Sequence, residues 1–106
     1  MAGNENVVLT EAVYYILLSL INPNHGYGIM KNIEEISNGR VKMAPGTLYG
    51  AINILQEKRW IKPLEEDRLS RKKEYIITKE GKEVLLREIE RLRELLVNGE
   101  SLTLEG

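Results

Sequence analysis

The sequence contains no cysteine and no phenylalanine, and it has a single histidine, His25. Without cysteine, the chain can form neither a disulfide framework nor a thiolate metal site. A lone histidine has no second imidazole beside it, so we expect no metal ion, and any serine–histidine pair would have to use His25. These absences predict a protein that holds no cofactor or metal and is not an enzyme.

Long apolar runs are missing too, since no stretch approaches the roughly 20 residues that a membrane-spanning helix needs. The first eight residues include one glutamate and no basic side chain, which is not the pattern of a signal peptide. We therefore expect no membrane partner and a cytoplasmic location. The 106 residues are 42% hydrophobic and 29% charged, which indicates one globular domain with a core of isoleucine, leucine and valine.

The charge is unevenly distributed along the chain, although its formal net value is only -1. Between residues 22 and 73, ten lysines and arginines stand against six acidic residues, which leaves this part at +4. The acidic excess lies toward the two ends. A basic middle region is compatible with binding to phosphate groups, but an asymmetry of this size is weak support.

The first part of the chain predicts two helices and a short strand. Thr10 is suited to cap a helix over residues 11–21 that is apolar on most sides and therefore needs a second cover, for which another subunit is a candidate. Residues 22–26 have the composition of a turn. A second helix over residues 27–37 would bury Ile29, Ile33 and Ile36. Residues 40–43 alternate polar and apolar side chains, which predicts a very short strand.

A third helix is predicted over residues 44–59, with Pro45 in its first turn. Leu48, Ile52 and Leu55 recur at helical spacing and share the buried face. The opposite face has little charge and carries short neutral hydrogen-bonding groups: Thr47, Tyr49, Gly50, Asn53 and Gln56. This face is either an ordinary polar surface or one that contacts base edges and phosphates.

The last part of the chain predicts a hairpin and a long helix. Strands over residues 60–64 and 73–77 enclose a charged loop at residues 65–72, and Pro63 places the first strand at an edge. Thr78 is suited to cap a helix over residues 79–98, and residues 99–106 are expected to fray. The apolar stripe on this helix and the apolar first helix together predict a homodimer, with these interface residues: Leu17, Leu85, Ile89, Leu92 and Leu96.

This order of elements predicts a mainly α (α+β) fold, a winged helix-turn-helix with a two- to three-stranded wing and a long C-terminal dimerisation helix. Residues 1–78 would form the DNA-binding domain, and residues 79–106 the dimerisation helix and frayed tail, within one compact unit. In such a fold the third helix enters the major groove and the wing reaches the flanking backbone.

Five segments together resemble the PadR family of bacterial transcriptional regulators: Leu-Thr-Glu-Ala at 9–12, His-Gly-Tyr-Gly-Ile at 25–29, Pro-Gly-Thr-Leu-Tyr at 45–49, Arg-Lys-Lys-Glu-Tyr at 71–75 and Ile-Thr-Lys-Glu-Gly at 77–81. The resemblance runs from about residue 9 to residue 98, in the short form of the family with one C-terminal helix. It implies a homodimer that binds an operator and, in some members, is released by a small effector. Drug-binding relatives carry an aromatic residue on the last helix, where this sequence has only aliphatic ones.

The candidate DNA contacts lie on the second and third helices and on the wing. Asn53 can pair with adenine, Thr47 can contact a thymine methyl group, and basic wing residues can contact phosphates. Tyr27 is either a phosphate contact at a helix N-terminus or a core tyrosine with its hydroxyl at the surface. The full predicted set is Tyr27, Pro45, Gly46, Thr47, Tyr49, Asn53, Arg68, Arg71, Lys72 and Lys73.

The function predicted is that of a dimeric, sequence-specific transcriptional regulator that binds double-stranded DNA as a repressor and is released by a small hydrophobic effector. An effector pocket is expected between the first and last helices, with Ala12, Tyr15, Ile89 and Leu92 as walls. The aliphatic last helix favours aliphatic or amphipathic ligands over planar dyes. The alternative is a winged-helix module that binds a protein partner and no DNA. Trp60 is expected to pack in the core or an interface rather than contact an effector.

Overall fold

The computed structural model describes residues 7–64 and 73–104 and contains the predicted winged helix-turn-helix. Its elements run in the order α1 (Glu11–Ser19), β1 (Asn24–His25), α2 (Gly26–Ile36), α3 (Pro45–Glu57), β2 (Ile61–Pro63), β3 (Glu74–Ile77) and α4 (Lys79–Leu104). The first three helices, the first half of α4 and the inner faces of β2 and β3 enclose a core of isoleucine, leucine and a single buried tyrosine, Tyr75. None of the helices in the described ranges is long and apolar enough to cross a bilayer.

The helix starts follow the side chains that the sequence offers for capping. The Thr10 hydroxyl accepts a hydrogen bond from the Val13 N–H at 3.2 Å, as predicted for the N-cap of α1. The Thr78 hydroxyl accepts from the Gly81 N–H at 3.0 Å and donates to the Arg59 carbonyl at 2.6 Å. Both side chains satisfy orphan donors of a first helical turn, and Thr78 also ties α4 to the end of α3.

The sheet has three antiparallel strands in the order β1-β3-β2, so β3 is central. In its register Asn24 pairs with Tyr75, and Ile61 pairs with Ile77. Pro63 lies on β2, an edge strand, which confirms its predicted position. Residues 22–26 were predicted to be a turn throughout, and this was wrong for residues 24–26. Residues 24 and 25 pair with β3 from far along the chain, and Gly26 begins α2.

The strand predicted at residues 40–43 does not form. Two of its backbone N–H groups bond to Ser37 at the end of α2 instead. The Arg40 N–H donates to the Ser37 carbonyl at 3.1 Å, and the Val41 N–H donates to the Ser37 hydroxyl at 3.0 Å. These bonds turn the chain tightly after Gly39, which has a φ of +79°. Ile36 was predicted to be buried and is exposed, because Ser37 takes the inward position at this last turn.

Helix α4 extends further than predicted, through residue 104, so the expectation of fraying was wrong for residues 99–104. Its first half packs on the body, where Gly81 lies so close to Trp60 that an added methyl carbon would stand 2.9 Å from the Trp60 carbonyl carbon. Leu85 and Glu88 are also buried there. A single glycine at position 99 costs a helix only about 1 kcal/mol, which does not suffice to end it.

Candidate nucleic-acid interface

Helix α3 begins at Pro45 in its first turn, after Ala44 as N-cap. Leu48, Ile52 and Leu55 are buried as predicted and anchor the helix to the core. Thr47, Tyr49 and Asn53, which were predicted on the outward face, are exposed, and so are the other two candidate contacts, Pro45 and Gly46. The structure therefore brings these five candidate contacts together on one short helix with a neutral, hydrogen-bonding surface.

The N-terminus of α2 is capped by His25, a role that the sequence pattern did not predict. The His25 Nδ1 accepts a hydrogen bond from the Gly28 N–H at 3.2 Å, while the His25 N–H donates to the Asn24 side chain at 2.9 Å. His25 is half-buried and its ring lies parallel to that of Tyr27, with 6.5 Å between the centroids. The signal was the position of His25 directly before the helix-opening Gly-Tyr-Gly run.

Tyr27 lies outside the core, with 68% of its surface exposed in the first turn of α2. The interpretation of Tyr27 as a core tyrosine with only its hydroxyl at the surface is therefore wrong. Tyr27 belongs to the first turn of α2, and the partial positive charge at a helix N-terminus favours anions.

Tyr49 connects α3 to that same helix start. A methyl group on Gly26 would overlap the Tyr49 ring, with its Cζ 2.7 Å away. The absence of a side chain at Gly26 thus lets the ring of Tyr49 lie against the first turn of α2. Tyr27 and the exposed face of α3 consequently form one continuous surface, which we call the α2–α3 face.

The wing contributes one candidate contact within the described residues. Lys73 is exposed at the base of β3, and its Nζ lies 5.8 Å from the centroid of the Tyr75 ring. The other predicted wing contacts, Arg68, Arg71 and Lys72, lie outside the described residues.

The connection that leads into α3 is tied to the first helix by Arg40. Its guanidinium forms two hydrogen bonds with the carboxylate of Glu11, one of them from Nη1 to Oε1 at 2.7 Å. The hydrogen bonds from Arg40 lower the pKa of Glu11, with its charge and a bond from Tyr15 adding to the effect and desolvation opposing it. Both side chains are substantially exposed, so this pair positions the connection more than it stabilises the fold.

A groove of about 270 Å³ lies between α1 and α4 and is called the α1/α4 groove here. Tyr15 and Leu92 line it as predicted, whereas Ala12 and Ile89 are not among its lining residues. Its aromatic surface comes from α1, where Tyr14 and Tyr15 lie with their ring centroids 5.8 Å apart. Tyr15 was among the predicted walls, whereas Tyr14 was not.

Glu88 lines this groove and forms an ion pair with Arg91, although its side chain is almost wholly buried. Its carboxylate accepts hydrogen bonds from Arg91 Nε at 2.7 Å, from Arg91 Nη2 at 2.8 Å and from the Leu9 N–H at 3.1 Å. The bonds from Arg91 hold the pKa of Glu88 below its ordinary value; burial opposes this and the Leu9 N–H adds to it. Glu88 thereby fastens the segment before α1 onto α4.

The residues predicted for a dimer interface fall into two groups. Leu17 and Leu85 are buried within the single chain and belong to its core, so they have no surface to offer a second subunit. Ile89 is partly buried against that core, while Leu92 and Leu96 are 38% and 60% exposed. Any dimer contact on this stripe must therefore use Leu92, Leu96 and the free side of Ile89.

Three helices, a tight connection, an uncharged outer face on α3 and a hairpin beside it define a winged helix-turn-helix regulator. Comparison with known proteins gives the same class: the model of the PadR-like family of transcriptional regulators matches residues 16–87. The chain belongs to this family. The family is one of transcriptional regulators and not of enzymes, which agrees with the prediction for this chain.

Solved structures of two regulators share the fold over most of their length. A transcriptional regulator from Clostridium thermocellum superposes with a TM-score of 0.68 at 25% identity, covering 84% of this chain and 90% of that one. A PadR family transcriptional regulator from Eggerthella lenta superposes with a TM-score of 0.65 at 26% identity, covering 88% of this chain and 80% of that one.

A curated relative is longer than this chain. An uncharacterised 37.1 kDa protein in transposon TN4556 of Streptomyces fradiae is 39% identical over 79 residues, which are 74% of this chain and 22% of that protein. The chain therefore spans less than a quarter of this relative.

Proposed function

We propose that the protein binds operator DNA as a homodimer, with the α2–α3 face in the major groove and the wing on the flanking backbone. The observation that carries the proposal is the junction of Tyr49 with Gly26, which makes one surface of the α2 N-terminus and the exposed side of α3. Backbone N–H groups at a helix N-terminus suit a phosphate, and the neutral side chains of α3 suit base edges.

Two recognition helices must stand about 34–36 Å apart to meet successive major grooves, so operator binding by this fold calls for a dimer. The exposed leucines of the last helix supply an apolar surface for it, since Leu92 and Leu96 have no core to cover in the single chain. The proposed homodimer uses these residues together with Ile89.

The proposal extends to repression relieved by a small hydrophobic effector in the α1/α4 groove. A ligand there would lie between Tyr15 and Leu92, on the helix pair that sets the spacing of the two recognition helices. If it favours a spacing that does not fit DNA, linkage requires that it weakens DNA binding by the same factor. A regulator of this kind would act on cytoplasmic DNA.

Selection of bound DNA from a random pool, read by sequencing and gel shift, tests the proposal. We expect a palindromic site whose two halves lie about one helical turn apart. Failure to enrich any sequence would contradict operator binding, and a single asymmetric half-site would contradict the dimer. Titration of the selected complex with aliphatic amphiphiles and with a planar cationic dye tests the effector: we expect release by amphiphiles, and release by the dye alone would contradict it.

A further inference from the structure

A second groove, which we call the Trp60 groove, lies against the start of α1 and one side of α3. It encloses about 250 Å³. The segment before α1 provides Val8 and Leu9, and α3 provides Ala51 and Ile54. Trp60, directly before β2, also lines the groove. The lining is largely apolar, and it shares only Leu9 with the α1/α4 groove.

The charge of the Trp60 groove comes from one side chain. Lys58 is the only charged residue among the described residues that line it. Its ammonium stands 5.2 Å from the centroid of the Trp60 ring, a cation–π arrangement that holds the charge at the groove. An ammonium has three N–H donors, so Lys58 can bind an anion without leaving the ring.

A hydroxyl group lies in the same lining. Thr10 accepts the hydrogen bond from Val13 that caps α1, and its own O–H remains a donor in addition. The groove therefore combines an apolar wall with one ammonium and one hydroxyl donor. Its volume is below the roughly 300–1,000 Å³ of pockets that hold drug-sized ligands.

We propose that the Trp60 groove binds a small carboxylate with an apolar body, its carboxylate on Lys58 and Thr10 and its body against Val8, Ala51 and Ile54. Apolar burial provides a binding energy that any hydrocarbon of this size would share. The charge-assisted hydrogen bond to Lys58 selects a carboxylate over a neutral analogue. The site is distinct from the effector groove proposed between α1 and α4.

A ligand in this groove touches the recognition helix itself. Ala51 and Ile54 follow Thr47 at i+4 and i+7 on α3, so a bound carboxylate would contact the side of the helix that adjoins the proposed DNA surface. We therefore expect it to change operator affinity. This consequence rests on the proposed function, whereas the binding site does not.

The test uses hexanoate and its neutral analogue hexanamide on the full chain. Trp60 is the only tryptophan, so its fluorescence reports on this groove alone. We expect a saturable change with hexanoate, and calorimetry should show hexanoate binding about tenfold more tightly than hexanamide. No saturable binding of hexanoate, or equal affinity for the two ligands, would overturn the proposal.

Two variants separate the charge from the apolar wall. Lys58→Gln should bring hexanoate affinity down to that of hexanamide, while Ile54→Ala should weaken both ligands alike. Lys82→Gln, which removes an exposed lysine of α4 outside the lining, is the matched control and should bind hexanoate as the parent does. If Lys58→Gln keeps the tenfold preference, or Lys82→Gln loses it, the carboxylate binds elsewhere.

The outcomes for the two proposals are distinguishable. Lys58-dependent hexanoate binding by a protein that selects no DNA would uphold the groove and contradict the proposed function. Operator binding without hexanoate binding would contradict the groove alone. Hexanoate binding that leaves operator affinity unchanged would overturn only the coupling between groove and α3.

Discussion

The phenol ring of Tyr49 lies against Gly26, so this side chain of α3 reaches the start of α2 at a residue that has no side chain of its own. Because Gly26 has no side chain, the Tyr49 ring packs directly on the backbone at the start of α2. This contact sets the distance between α3 and the start of α2, and therefore the position of the exposed side of α3. The α2–α3 face thus depends on a residue that itself presents nothing to DNA.

We predict that Gly26→Ala lowers stability by about 1–3 kcal/mol, because the new methyl group must displace the Tyr49 ring. Operator affinity should fall with it. Urea unfolding and fluorescence anisotropy measure the two effects. Gly50→Ala is the matched control for stability: it adds the same methyl group to open space, and it should stabilise α3 by about 0.5–1 kcal/mol. Equal stabilities of the two variants would contradict this account of the junction.

The start of α3 and its buried residues could be predicted from the sequence, because Pro45 and the spacing of Leu48, Ile52 and Leu55 are signals that lie within one helix. The strand at residues 24 and 25 was missed because its pairing depends on Tyr75, which local sequence does not indicate. Tyr15 and Leu92 were predicted for the α1/α4 groove, but Tyr14 was missed for a similar reason, since only packing shows that it lies in the same lining.

A second prediction concerns DNA binding. Asn53→Ala should relax the preference at particular bases by about 1–3 kcal/mol. Lys73→Ala should weaken all sequences alike and reduce the steepness of the salt dependence by about one unit for each phosphate that the variant no longer neutralises. If the parent protein neutralises roughly 6–10 phosphates, its affinity for DNA should fall by a factor of about 10³–10⁵ between 50 and 200 mM salt. A flat salt response, or the same change in base preference for both variants, speaks against a role for Lys73 at a phosphate.

A third prediction concerns subunit association. Leu96→Asp should give a folded monomer, because Leu96 is exposed in the single chain and the aspartate would bury an unpaired charge only in the dimer. Sedimentation equilibrium measures this, with circular dichroism to check folding. Val97→Asp changes a similarly exposed apolar residue that lies about 100° around α4 from Leu96, and it should remain dimeric. A parent that sediments as a folded monomer at micromolar concentration would refute the dimer itself.

The buried carboxylate of Glu88 leads to a fourth prediction, on pH. Arg91 lowers its folded pKa below the ordinary value of 4.5, so the unfolded chain binds more protons in acid. The stability that Glu88 contributes is thus fully present above about pH 5 and is lost as the pH falls through its folded pKa. Glu88→Gln should cost about 1–3 kcal/mol at pH 7.

Unfolding by urea from pH 7 to pH 3 checks this difference between the parent and Glu88→Gln. The gap should close in acid, because both side chains are then neutral. Glu94→Gln, an exposed glutamate of the same helix, is the control and should follow the parent throughout. A gap that stays constant down to pH 3 would mean that the charge of Glu88 contributes nothing.

The central position of β3 has a consequence for how the chain folds during its synthesis. Both edge strands leave the ribosome before β3 does. Asn24 can pair with Tyr75 only after all of α1, α2, α3 and β2 have been synthesised. Until β3 emerges, β1 and β2 have no partner in this sheet, and unpaired strand edges invite association between chains. Pairing across so much sequence also makes closure of the sheet a late and slow event compared with helix formation.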